Sequence, residues 1–167
     1  MTADGKNITE VKWDFEEYVP DLVVINLGTN DYSYTKDPKT GLNDETRAKE
    51  YEAAYVEFLK TIREKNPDAE ILCTLGIMGQ ELYDSIENAV AAYTAETGDE
   101  KVNTLKFDVQ DMNDGLGADW HPSDVTHTRA AITLSDAITE LYGWEQNEDY
   151  ELTAPEKPSD PTDDPTE

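Results

Sequence analysis

Two kinds of apolar run alternate along the chain. Positions 22–27, 70–75 and 102–107 are short, nearly continuous and rich in aliphatic and β-branched residues. Such runs are too short for lone helices and predict strands buried on both faces, as inside a parallel sheet. Between them, apolar residues recur three and four apart, the spacing of a helix with one face in the core. Ala48, Tyr51, Tyr55, Phe58, Leu59 and Ile62 mark one such helix, capped by Asn43 or Asp44 and stopped at Asn66-Pro67. Leu82, Ile86, Val90 and Tyr93 mark a second over about 81–96, ended by Gly98. A third follows a cap at Ser123 or Asp124, with His127, Ala131, Leu134, Ile138 and Leu141 on one face and Gly143 at its end.

Strands alternating with helices predict an α/β fold, a right-handed parallel sheet with helices on both faces in three α/β/α layers. Residues 1–19 read as a polar lead-in, with Val11, Trp13, Phe15 and Tyr18 packed on the domain surface and Asp14 capping a short turn. Residues 32–41 and the glycine-rich stretch 108–118 read as loops. One domain over 1–144 is expected, followed over 145–167 by an acidic tail rich in Pro and Thr. That tail has too few apolar residues for a core and suits a stiff linker to a further module.

Composition narrows the partners. The 167 residues hold 38 Asp and Glu against 13 Lys and Arg, a formal net charge of -25. Nucleic acid is excluded in practice, because affinity for phosphate backbones needs cationic side chains. An anionic membrane surface is disfavoured for the same reason. The one cysteine, Cys73, lies in an apolar run and reads as a buried structural thiol, so no disulfide forms within the chain. No stretch reaches the ~20 apolar residues of a membrane-spanning helix, and the first residues carry no hydrophobic signal region.

Chemistry concentrates at two places. The first strand ends in Gly28-Thr29-Asn30-Asp31, at the carboxyl end where open α/β sheets bind ligands. Asn30 offers an amide donor to a developing negative charge, although Gly, Asn and Asp are equally the residues of an ordinary turn. Downstream, His121 stands in Asp119-Trp120-His121-Pro122-Ser123. An imidazole can take a proton from a hydroxyl and return it to a leaving alcohol near neutral pH; a lone histidine can also be a packing residue. His127, six residues on, is expected to be structural, and with no cysteine cluster or further histidine no metal or cofactor is implied.

These two motifs, in this order and about ninety residues apart, resemble the last two sequence blocks of the SGNH (GDSL-type) hydrolases. Trp13-Asp14-Phe15 ahead of Pro20-Asp21-Leu22, together with Asp114-Gly115-Leu116-Gly117-Ala118-Asp119-Trp120-His121-Pro122, is similar to carbohydrate esterase family 2, deacetylases of plant polysaccharides. The resemblance covers roughly 10–142. It implies the SGNH (flavodoxin-like) sandwich, an acetylated polysaccharide or oligosaccharide as partner, and secretion of the parent protein. It makes His121 the base and Asn30 an oxyanion donor, with Gly28, Asp31 and Trp120 on the substrate side; for Trp120 plain packing is the competing role. Most SGNH hydrolases carry an acid three residues before the histidine, where this chain has Ala118, and Asp119 stands one place nearer. Either the Asp119 carboxylate or a main-chain oxygen of the Ala118-Asp119 turn is therefore expected to orient His121.

The family's nucleophile block, a Gly-Asp-Ser on the first strand, has no counterpart here, and neither does its second glycine block. Ser33 follows the Asn30 turn without a strand-to-helix elbow, and Ser123 is a helix cap, so neither is expected to attack an ester. The resemblance thus implies the C-terminal part of an esterase, with its N-terminal strands absent and inactive alone. A non-catalytic carbohydrate-binding or interaction module on the same fold is the alternative, and an enzyme of another mechanism a third, disfavoured by the lack of metal ligands. Without its neighbour, the strand over 22–27 would become a sheet edge holding no Lys or Pro, open to self-association.

Overall fold

The parallel sheet forms as the apolar runs predict. In a computed structural model that describes residues 12–147, 149, 150, 152 and 153, three strands lie in the order β1 (Leu22–Asn26), β2 (Glu70–Ile77), β3 (Val102–Val109). Leu22 pairs with Glu70 and Ile25 with Cys73, while Ile71 pairs with Val102 and Thr74 with Leu105. The helices are α2 (Glu45–Lys65), α3 (Tyr83–Thr97) and α4 (Asp124–Tyr142). Asp44 is the cap of α2, its carboxylate accepting from Arg47 N at 3.0 Å.

Strand alternation assigns the layers. Val102, Thr104 and Lys106 share one face of β3, and Lys106 Nζ lies 5.0 Å from the centre of the Tyr83 ring on α3. The opposite face presents Asn103 and Phe107, which line hollows together with Tyr142 and Arg129 of α4. Helices α2 and α3 therefore cover one face and α4 the other. The main core lies on the α2–α3 side, where Ile25, Ile71, Cys73 and Leu75 meet Tyr55, Leu59, Ile86 and Tyr93. Cys73 is fully buried there, and burial pushes its thiol up to about 11, as expected for a packing residue.

Four expectations change. Strand β1 is not buried on both faces: it pairs only with β2 among the described residues, and Val24 stays 40% and Leu27 53% exposed. No strand lies beyond β1 among the described residues, the open edge expected for a strand without its neighbour, while Ile25 on its other face is buried. Trp13, Phe15 and Tyr18 are exposed rather than packed, whereas Asp14 does form its turn, accepting from Glu16 N at 2.9 Å. Residues Tyr32–Thr35, read as loop, close one helical turn, α1, because Thr35 N bonds back to Asp31 O at 3.1 Å and Thr35 is buried. In α4 the expected inner face is only partly covered. His127 is exposed, Leu141 is 43% exposed, and the buried residues are Val125 and Thr126 in its first turn. Val11 and most of the acidic tail lie outside the described residues.

Candidate active site

Both candidate segments leave the carboxyl end of the sheet. After β1 the chain turns through Gly28 at φ +137°, a conformation only glycine adopts without strain. Space enforces the same choice, since a Cβ there would sit 2.8 Å from the Tyr51 hydroxyl and 3.3 Å from Leu75 Cδ1. Tyr51 in turn donates to Leu27 O at 3.3 Å, fixing the strand end against α2. Main-chain bonds then close the turn: Tyr32 N to Gly28 O and Ser33 N to Asn30 O, each 3.1 Å. Asn30 and Asp31 are exposed, and the Asn30 amide makes no side-chain hydrogen bond among the described residues.

The histidine turn is held differently. From Ala118 to Trp120 the chain makes one 3₁₀ turn with two non-glycine residues in the left-handed region, Asp119 at φ +52° and Trp120 at φ +64°. Each such residue costs on the order of 1–2 kcal/mol, so the turn must be imposed by its surroundings. Gly117 N donates to His121 O at 2.8 Å, His121 N to Ala118 O at 3.1 Å, and Leu116 bridges Pro122. Ser123 Oγ donates to Asp114 O at 2.8 Å while accepting from Thr126 N at 3.2 Å, which ties the loop to the start of α4. The Asp114 carboxylate, only 3% exposed, forms an ion pair with Arg129 of the same helix.

The open question about the imidazole has a geometric answer. His121 Nδ1 lies 3.0 Å from the main-chain oxygen of Ala118. A carbonyl only accepts, so Nδ1 carries a proton in this contact, and in the neutral ring Nε2 is then the nitrogen with the lone pair. The Asp119 carboxylate makes no hydrogen bond or ion pair among the described residues. The left-handed Asp119 and Trp120 reverse the chain so that the Ala118 carbonyl comes back to the ring, which is why an alanine at that position suffices. His121 is exposed, and Trp120 beside it is 69% exposed, so its ring is available to a ligand rather than packed.

No hydrogen bond or ion pair among the described residues joins 28–31 to 117–123; the shared end of the sheet is what relates them. No group of three or more His, Cys, Asp or Glu among the described residues could hold a metal ion. Of the two acceptors expected for the ring, the main-chain oxygen of Ala118 is the one in contact, and two participants escaped the sequence reading: the ion pair of the buried Asp114 with Arg129, and Gln110, whose Nε2 donates to Trp120 O at 3.0 Å. Only Asp114 left a trace, as an acid inside a glycine-rich stretch.

The model of the GDSL-like lipase/acylhydrolase family matches residues 3–129. The chain belongs to that family. This GDSL-like chain is 40% identical over 138 residues to the cellulase/esterase CelE of Acetivibrio thermocellus, covering 80% of the chain and 16% of that protein. With an acetylxylan esterase/glucomannan deacetylase of Cellvibrio japonicus it shares 27% identity, over 80% of the chain and 34% of the relative. In structure it is similar to an acetyl xylan esterase from the rumen bacterium Butyrivibrio proteoclasticus, with TM-score 0.75 and 27% identity over 81% of the chain and 40% of the neighbour. A family two carbohydrate esterase from Clostridium thermocellum, solved with cellohexaose, aligns with TM-score 0.68 and 37% identity over 82% of the chain and 41% of the neighbour. The GDSL-like chain therefore spans less than half of each of these proteins, and the neighbours bear out its resemblance to family 2 carbohydrate esterases.

Proposed function

We propose that this chain is the part of a carbohydrate O-acetyl esterase that carries the general base and one oxyanion donor. The observation that carries the reading is the contact between His121 Nδ1 and the Ala118 oxygen, which leaves Nε2 free to accept a proton. In the reaction, Nε2 takes the proton of a serine hydroxyl as its oxygen bonds to the acetyl carbonyl carbon. The carbonyl oxygen becomes an anion, and the Asn30 amide donates to it. Collapse breaks the bond to the sugar oxygen, which leaves with the proton from Nε2. Water, deprotonated by the same nitrogen, then releases acetate and restores the serine. The exposed Trp120 ring offers a flat apolar face to the sugar. The relatives' names, acetylxylan esterase and glucomannan deacetylase, support an acetylated plant polysaccharide as the substrate, and an extracellular parent fits a substrate of that kind.

The attacking serine is not among the described ones. Ser33 lies exposed on α1, Ser85 is buried in α3, and Ser123 is committed to its cap and to Asp114. Ser135 lies along α4, away from the turn. The chain alone should therefore give no burst of acetate from an acetate ester and no stoichiometric label from an organophosphonate. Labelling of Ser33 or Ser123 would overturn the assignment. In a parent polypeptide that holds the serine, His121→Ala should lower turnover by several orders of magnitude, as for other triad bases.

The missing serine also favours a second reading, a carbohydrate-binding module that keeps the cleft without the reaction. Titration of the chain with cellohexaose separates the two. Binding that is lost in Trp120→Ala, with a parent that releases no acetate, would select the binding module.

A further inference from the structure

We propose that Gln110 is a positioning residue for His121, acting through the Trp120 carbonyl. Gln110 lies one residue beyond β3, and its own backbone is fixed: its N donates to Ile77 O at 2.7 Å. That anchor is rigid for a steric reason. At Gly76 (φ +145°) a Cβ would collide with the Phe107 carbonyl, so β2 and β3 touch backbone to backbone just where Gln110 begins. Gln80 closes the same corner, donating through Nε2 to Phe107 O at 2.6 Å.

From this corner the Gln110 side chain reaches the histidine turn, with Nε2 3.0 Å from Trp120 O. The orientation of the amide follows from chemistry: reversed, its oxygen would face another carbonyl oxygen, which is repulsive. Its Oε1 is buried and has no hydrogen-bond partner among the described residues. A buried acceptor without a partner is a cost that an apolar side chain of similar length would avoid. What a glutamine supplies here, and Met or Leu would not, is the single bond to Trp120.

That bond falls where it matters. Trp120 and Asp119 are the two left-handed residues that bring the Ala118 oxygen back to His121 Nδ1. Holding the Trp120 carbonyl holds the peptide that leads directly into His121, and with it the tautomer in which Nε2 is the base. Gln110 thus relays the rigid β2–β3 corner to the ring without touching the ring or a substrate.

The ¹⁵N shifts of the imidazoles in the full 167-residue chain, at a pH where the rings are neutral, read the tautomer directly. The native chain should show His121 mainly as the Nδ1–H form. Gln110→Met, equal in length but without the donor, should move the ratio toward Nε2–H by about fivefold, the worth of one neutral hydrogen bond. The exposed His127 should not move and serves as the internal reference. Should the Met variant fail to fold, Gln110→Asn, one methylene too short to reach, carries the same expectation. An unchanged His121 ratio in a folded variant would overturn the proposal, as would a native His121 already in the Nε2–H form. The catalytic consequence rests on the esterase reading, but this measurement does not. A tautomer shift in the chain, combined with no acetate release by a serine-bearing parent, would leave the positioning role standing and remove the esterase.

Discussion

The two segments that meet the solvent at the carboxyl end of the sheet solve opposite problems. At 28–31 the difficult conformation is assigned to a glycine, Gly28 at φ +137°, and the side chains that follow are exposed and uncommitted. At 117–121 the left-handed positions are occupied by Asp119 and Trp120, while the His121 ring is held by a main-chain oxygen, that of Ala118. The first segment spends its backbone to present a side chain. The second is strained, pinned by Asp114, Ser123, Arg129 and Gln110, and presents its backbone to a side chain. Substitutions should therefore act through side-chain identity at Asn30, through shape at Gly28, and hardly at all through the Asp119 carboxylate.

Among the substitutions that test this contrast, the largest effect is expected at Asn30. Its amide has no structural hydrogen bond among the described residues, so removal costs the fold little, while in a serine-bearing parent it would take away the donor proposed for the oxyanion. Asn30→Ala should lower turnover by roughly 10²- to 10³-fold, with the thermal midpoint almost unchanged. A loss below about fivefold would make Asn30 a turn residue only and erase the contrast between the two segments.

Gly28 comes next and acts on stability. Gly28→Ala places a Cβ 2.8 Å from the Tyr51 hydroxyl, at a φ that only glycine accepts cheaply. Denaturant titration should show a loss of about 2–4 kcal/mol from strain and overpacking together. A double-mutant cycle with Tyr51→Phe divides the two contributions. Removing the hydroxyl should recover the steric share and leave the backbone share, about 1–3 kcal/mol, in place. Full recovery would mean that the positive φ is not what demands the glycine.

How much of this was legible beforehand follows the same division. Patterns that depend on side-chain type, such as the β-branched runs, the three-four spacing of α2 and the caps at Asp44 and Ser123, are written in residue identities, and the structure follows them. Glycine stops at Gly98 and Gly143 were readable because each ends a helix in the left-handed form. Features that depend on what lies next to an element in space are not written in its own pattern, and the open edge of β1 was expected only through the resemblance. The exposure of Val24 and Leu27 is set by the neighbours of β1, and the sparse burial along α4 by the extent of sheet beneath it. A residue string does not record either. The site was legible as His121 and Asn30, and the Ala118-Asp119 turn as one of two places from which the ring could be oriented, but Gln110 was not legible. A main-chain oxygen has no sequence signature, and a glutamine one residue past a strand looks like any polar loop residue.

The smallest expected effect is the most discriminating, because it is close to nothing. If the imidazole were held by the neighbouring carboxylate, Asp119→Ala in a serine-bearing parent should cost on the order of 10⁴-fold in turnover, as when the acid of a Ser-His-Asp triad is neutralised. The geometry assigns that bond to Ala118 O, 3.0 Å from Nδ1, and gives the Asp119 carboxylate no partner among the described residues. Asp119→Ala should then keep turnover within about threefold, with any loss coming from a harder left-handed turn, since alanine tolerates φ +52° less well than aspartate. Asp119→Gly removes that strain and adds chain entropy to the unfolded state, two contributions of about 1 kcal/mol with opposite sign. It should therefore be near neutral in stability and native in turnover. A glycine variant that is stable but inactive would return the orienting role to the carboxylate. A glycine variant that is active while the alanine variant is not would show that the backbone path from Ala118 to His121, and not the charge beside it, is what the reaction requires.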